Sequence, residues 1–325
     1  MSSLKTTGTI PSAVYLLALS LFAMGSAEFL MGGILPMIAE DLRISLPTAG
    51  TLISAFAVGA LIGGPPFAIL ALRWPSRSAL FISQLAFIAA TVVSLLAQGY
   101  WAILLARFGM GFAYACFWSV AAATAVQLSP PDRRAKALSI VVSGLTVAMF
   151  TTAAYMGTFG YIAALLMEVS GLSAEWLPAV LILFGVGAFI GLTIGGRTAD
   201  AQPRGTLVAG IIGLIVSSAI IASFAASVWA TVAMVFMLGL AGFLLNPAVW
   251  GRVYVLAPDA PMLAGATNAS AFQAGLTLAP LLAGIPISLG YGVASVAWVG
   301  VIIAVVSLLL AGLDARLSRT AAHSR

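Results

Sequence analysis

Two ionisable side chains stand inside long apolar runs, where a charge has chemical consequences. Glu28 lies in Ser26-Ala27-Glu28-Phe29-Leu30-Met31-Gly32-Gly33-Ile34-Leu35-Pro36, and Arg107 opens Arg107-Phe108-Gly109-Met110-Gly111. An ionised carboxylate in hydrocarbon costs at least about 2.5–3.5 kcal/mol on insertion scales, so Glu28 should face a cavity and be protonated for part of a working cycle. Such a group can take up a proton in one state and release it in another. The bland alternatives are a neutral, hydrogen-bonded carboxyl near the outer interface for Glu28 and snorkelling of the long side chain to that interface for Arg107. Histidine and cysteine chemistry has no support. The one histidine, His323, lies in a polar tail, and the one cysteine, Cys116, excludes an internal disulfide and a cysteine-based metal cluster. Without a nucleophile, metal or phosphate-binding motif, the chain reads as a non-enzyme with no cofactor.

Only membrane-spanning elements can hold such residues in such surroundings. The 325 residues are 62% hydrophobic and 7% charged, with a mean hydropathy of +1.13. Soluble domains carry about 25% charge, so the solvent here is lipid. The net charge of +5 sits in short loops between apolar runs and implies no nucleic-acid partner. The first run, 13–38, is too long for a signal-peptide core.

Ten spans are expected, at 13–36, 48–72, 79–97, 101–127, 137–167, 177–196, 206–226, 229–250, 263–288 and 292–312. Continuous apolar runs favour helices over barrel strands, which alternate. With the N-terminus inside, the inner segments hold Lys5, Arg73, Arg77, Arg133, Arg134, Lys136, Arg197, Arg204, Arg252, Arg316, Arg319 and Arg325, twelve of the 14 Lys+Arg. The outer loops hold Arg43 together with Glu40, Asp41, Glu168 and Glu175. This bias puts both termini in the cytoplasm of a multi-pass protein of the cell (inner) membrane.

The chain also resembles itself at an offset of 128 residues. Val58-Gly59-Ala60-Leu61-Ile62-Gly63 returns as Val186-Gly187-Ala188-Phe189-Ile190-Gly191, Gly32 matches Gly160, Glu40 matches Glu168, and Pro75 matches Pro203. The repeat predicts an incomplete N-terminal half, 1–147, with four spans and the foot of a fifth, and a C-terminal half, 148–325, with six. The run from Ala135 to Met167 is then the joint, and about two spans are missing there.

A duplicated six-span half with a basic loop after its second span resembles the major facilitator superfamily. Gly63-Gly64-Pro65-Pro66 followed by Arg73-Trp74-Pro75-Ser76-Arg77 is similar to that family's loop between spans two and three, without its frequent aspartate. Gly191, Gly195-Gly196-Arg197, Asp200 and Pro203-Arg204 form the second copy and keep one. The segment around Glu28 resembles the drug:proton antiporter branch, and the first third resembles bacterial chloramphenicol exporters and their sugar-efflux relatives. Arg107 falls in what resembles the span-four motif.

The resemblance implies an all-α major-facilitator bundle with about ten helices instead of twelve. It implies proton-coupled efflux of small amphipathic molecules, with the proton gradient as energy source. Glu28 and Arg107 would handle the proton, and Gly63, Arg73, Arg77, Gly191, Arg197, Asp200 and Arg204 would serve conformational change. Substrate-cavity candidates are Tyr114, Phe117, Trp118, Tyr155, Asn246, Asn268 and Gln273. Gly144 to Ala148 resembles only the beginning of the branch's Gly-rich span-five motif, and the rest of that motif is absent. Three expectations therefore stand side by side: a drug exporter, an exporter of sugars or nucleosides, and a shortened chain that inserts without transporting. The expected partners are a small-molecule substrate and the bilayer, with oligomerisation through the gap as a further option.

Overall fold

Apolar runs in lipid must satisfy every backbone N–H and C=O within their own segment, so they become helices. The computed structural model describes residues 12–71, 74–126, 149–249 and 261–323, and no strand occurs among them. Helices α1 (Ser12–Asp41), α2 (Leu46–Ala71), α3 (Ser76–Leu96) and α4 (Tyr100–Val126) come first. Helix α5 has two arms, Met149–Gly160 and Ile162–Val169, set at 40° to each other. Then follow α6 (Leu177–Ala201), α7 (Pro203–Ser223), α8 (Val228–Leu244), α9 (Pro261–Ser288) and α10 (Ser295–His323). Among the described residues, eight helices are long and apolar enough to cross a membrane, or nine if the bent α5 counts as one span, against the ten expected.

The expected spans differ from these helices mainly at their ends. Helix α1 runs past Pro36 to Asp41, although proline lacks a donor and is a frequent stop signal. Helix α10 continues to His323, beyond the apolar stretch. The run expected as one span at 137–167 is bent at Tyr161 and ends in a π-helical turn, Leu165–Val169. Its first residues, and with them the expected boundary at 147/148, lie outside the described residues.

Packing follows the 128-residue repeat. A Cβ added to Gly59 would collide with the carbonyl oxygen of Phe108, and one on Gly111 with that of Phe56, so α2 and α4 touch backbone to backbone. A Cβ on Gly187 would collide with the Phe236 carbonyl and one on Gly239 with that of Phe184, between α6 and α8. Each of these residues is its counterpart's number plus 128. Small residues permit this approach where lipid supplies no hydrophobic drive between helices. The loops obey the same register: Arg43 has φ 52° and Gly171 φ 75°, both left-handed.

Helix α5 is the centre of the molecule. Every residue from Thr151 to Leu166 is buried. Tyr155, Phe159 and Ile162 belong to one core cluster, and Tyr161, Ala164 and Leu165 to a second. The principal contact linking the first four helices to the later ones is α2 against α9.

Candidate functional site

Arg107 is placed by the glycine contact between α2 and α4. It lies one turn before Gly111, whose backbone abuts Phe56, and is itself only 2% exposed. Its Nε donates to the Leu52 carbonyl at 3.3 Å and its Nη1 to the Ala27 carbonyl at 3.2 Å. Its Cζ stands 4.8 Å from the centroid of the Phe56 ring. The guanidinium therefore bridges α4 to α2 and to α1, on the backbone of the residue just before Glu28. Snorkelling is excluded by this burial and by these two bonds.

Glu28 is 5% exposed. Arg107 acts on it electrostatically. Glu28 Oε1 and Arg107 Nη2 each lack a hydrogen-bond partner. Buried polar atoms normally find one, and exceptions point to strain or function. The two residues are thus neighbours, each with one atom still available.

Glu28 borders a cavity of about 20 Å³. Phe29 and Gly32 of α1, Ile53 of α2, Met156, Phe159 and Gly160 of α5, and Leu276 and Ala279 of α9 complete its wall. That volume suffices for about one water molecule. A drug-sized ligand needs several hundred Å³, so it could enter only if the surrounding helices part.

The cavity lies where the repeat meets itself. Glu28 and Gly32 both line it, and so do their counterparts Met156 and Gly160. The repeat equivalent of Arg107 is Val235, which is fully buried. The ionisable pair of the first half therefore has an apolar pair in the second. Comparing the copies residue by residue reveals this asymmetry from sequence.

The other expected cavity residues are dispersed. Tyr114 is half-buried, with its ring 5.7 Å from that of Phe56 and 6.4 Å from that of Trp118. Phe117 is packed with Met24, Phe56, Phe87 and Met110 in a third core cluster. Tyr155 is fully buried, and its hydroxyl lies near Thr152 and Asn246 without a hydrogen bond of standard geometry to either. Gln273 is buried with Oε1 unpartnered, one helical turn from the cavity residue Leu276. Asn268 falls within α9. Gly63 and Gly191 are helix-contact glycines, against Phe112 and Leu240 respectively. Arg77, Arg197, Asp200 and Arg204 are exposed near helix ends, while Arg73 lies outside the described residues.

Tyr161 was not anticipated as a site residue. It stands at the elbow of α5 with φ −110° and ψ 11°. Its hydroxyl donates to the Pro280 carbonyl of α9 at 3.0 Å. A Cβ on Gly50 of α2 or Gly284 of α9 would run into that hydroxyl. Tyr161 thus fills a slot between α2 and α9 at the α1–α2 loop end and closes the bundle there.

Among the described residues, a bundle of long apolar helices with a buried carboxyl at a helix junction defines a polytopic membrane protein of transporter architecture. The Major Facilitator Superfamily profile matches residues 17–162. A chloramphenicol resistance protein of Streptomyces lividans is 30% identical over 376 aligned positions, covering 93% of this chain and 96% of that protein. The inner membrane transport protein YdhP of Escherichia coli (strain K12) is 27% identical, covering 92% and 95%. The crystal structure of a bacterial homologue of the human lysosomal transporter Spinster, inward-facing and unoccupied, superposes with a TM-score of 0.69 at 15% identity, covering 95% of this chain and 98% of that one. The chain belongs to the major facilitator superfamily. An alignment of 376 positions to a chain of 325 residues leaves at least 51 positions without a residue here. That is the length of about two spans and a loop.

Proposed function

We propose that this chain exports small amphipathic molecules in exchange for protons. Glu28 carries the proton, and Arg107 sets how readily the carboxyl gives it up. The observation that supports this reading is the buried Glu28 carboxyl with Oε1 unpartnered, beside a cavity at the α1–α2–α5–α9 junction. A carboxyl in such a place is a functional group by default. In one access state it faces the proton supply, and in the other the substrate. The gradient supplies the energy, and no cofactor takes part. Substrate binds at the junction once the helices part, and rocking about α5 changes the side to which it opens.

The walls of the cavity are aromatic and aliphatic, and they suit a chloramphenicol-like compound. The name of the Streptomyces lividans relative points the same way. Sugars or nucleosides fit less well, because they would call for more amides and carboxylates along the wall. The protein works in the cell (inner) membrane with both termini in the cytoplasm.

A second reading is favoured by the 51 or more missing positions: the chain inserts but does not transport. Chloramphenicol accumulation in cells expressing the chain, with and without a protonophore, separates the two. Lower accumulation that the protonophore abolishes supports export. Accumulation equal to empty vector, with the protein present in the membrane, supports the inactive form.

A further inference from the structure

We propose that Phe56 is the positioning residue of Arg107: its ring face keeps the guanidinium seated on α2 and prevents it from closing onto Glu28. The role it serves rests on the proton-exchange reading above.

The helices are built to bring the two side chains together. Gly111 lets the backbone of α4 meet the Phe56 carbonyl, and Arg107 follows one turn away on the same helix. Phe56 is fully buried. Leu52, one turn earlier on α2, supplies the carbonyl that accepts from Arg107 Nε. One turn of α2 therefore offers the guanidinium both an edge acceptor and a ring face, and Ala27 of α1 takes Nη1. Nη2 remains without a partner.

The second half provides an internal control. Phe184 is the repeat counterpart of Phe56, and Gly239 meets its carbonyl as Gly111 meets that of Phe56. There Val235 stands in place of Arg107, and the Phe184 ring stacks on Phe159 at 4.1 Å. The same scaffold phenylalanine thus packs on a ring where its neighbour is apolar and carries a cation where its neighbour is arginine.

The function of the seat follows from arginine geometry. A guanidinium free of Phe56 can turn its fork to a carboxylate, the bidentate arrangement it favours. Glu28 held in that way would stay ionised and load protons poorly. Held on Phe56, Arg107 acts on Glu28 without locking it. Among the described residues, the titratable or charged groups around Glu28 are Arg107 and Tyr114 of α4 and Tyr155 of α5. Helices α2 and α9 bring only Ile53, Leu276 and Ala279 to the cavity.

The test uses the full chain in lipid nanodiscs with ¹⁵N-labelled arginine. The Arg107 side-chain signal, assigned by its loss in Arg107→Lys, should be shifted upfield by the ring in wild type and in Phe56→Tyr. It should return to the ordinary arginine range in Phe56→Leu. In vesicles, Phe56→Leu should lower proton-linked export by about 2- to 30-fold, the range that cation–ring contacts span from exposed to desolvated sites. It should also displace the pH profile toward acid, while Phe56→Tyr follows wild type. Phe56→Met carries the same test should Phe56→Leu fold poorly. An unshifted wild-type signal overturns the placement, and a Phe56→Leu profile that superposes on wild type overturns the role. Failure of wild type to export would overturn the proton-exchange reading alone, since the resonance decides the placement by itself.

Discussion

Gly32 of α1 packs against Gly160 of α5, and the two are the same position of the repeat, 128 residues apart. Equivalent positions touch only on the axis that relates the two copies. The cavity beside Glu28 therefore lies close to that axis, where relative motion of the halves changes the packing most directly.

A side chain at Gly32 should drive the copies apart. A Cβ there would stand 3.1 Å from the Phe159 carbonyl oxygen and 3.5 Å from the Gly160 Cα. Gly32→Val should cost about 1–3 kcal/mol, as overpacking does. Gly25, inside α1, has nothing within 4 Å of its added Cβ, so Gly25→Ala should not lower stability and should raise it by up to about 1 kcal/mol. Thermal unfolding in detergent compares the two variants.

Tyr161 should act as a bolt between α2 and α9. Tyr161→Phe removes the bond to Pro280 and should cost about 1 kcal/mol. Tyr161→Ala should open the α1–α2 loop end. In a Cys116→Ser background, a cysteine at the buried Ala283 should react slowly with a maleimide. Added Tyr161→Ala should make it react faster. Equal rates would show that Tyr161 does not seal this end.

Charge alone should not replace Arg107. Lysine is a point donor and cannot serve Leu52, Ala27 and the Phe56 face together. Arg107→Lys should reach the membrane in normal amount and lose at least about tenfold in export rate, the effect of roughly 1.4 kcal/mol. Initial rates in inverted vesicles provide the comparison.

The distribution of Lys and Arg predicts cytoplasmic termini. A C-terminal green fluorescent protein should fluoresce, and a C-terminal alkaline phosphatase should be inactive. The opposite pair of results would reverse the topology.

Much of the bundle is legible in the sequence, because lipid permits few structures. Apolar length marks the spans, and the copy of Val58–Gly63 at Val186–Gly191 marks the repeat, which reappears as matched helix contacts at Gly59 and Gly187. Glu28 and Arg107 stand out because charge is rare in such runs. Their geometry does not, since Arg107 finds its acceptor at Ala27, 80 residues away. Tyr161 is harder still. It looks like any aromatic in an apolar run, and its acceptor lies 119 residues further on. The rings of Tyr114 and Phe117 fall three residues apart on one helix, and the neighbours contributed by α1, α2 and α3 decide which is enclosed.

The central claim is that Glu28 carries the proton. Glu28→Gln keeps the shape of the side chain and removes its titration. The decisive measurement is uptake of chloramphenicol into inverted vesicles under an imposed proton gradient, with equal amounts of wild type and Glu28→Gln in the membrane. The account predicts gradient-dependent uptake by wild type and none by Glu28→Gln. Unchanged uptake by Glu28→Gln would contradict it.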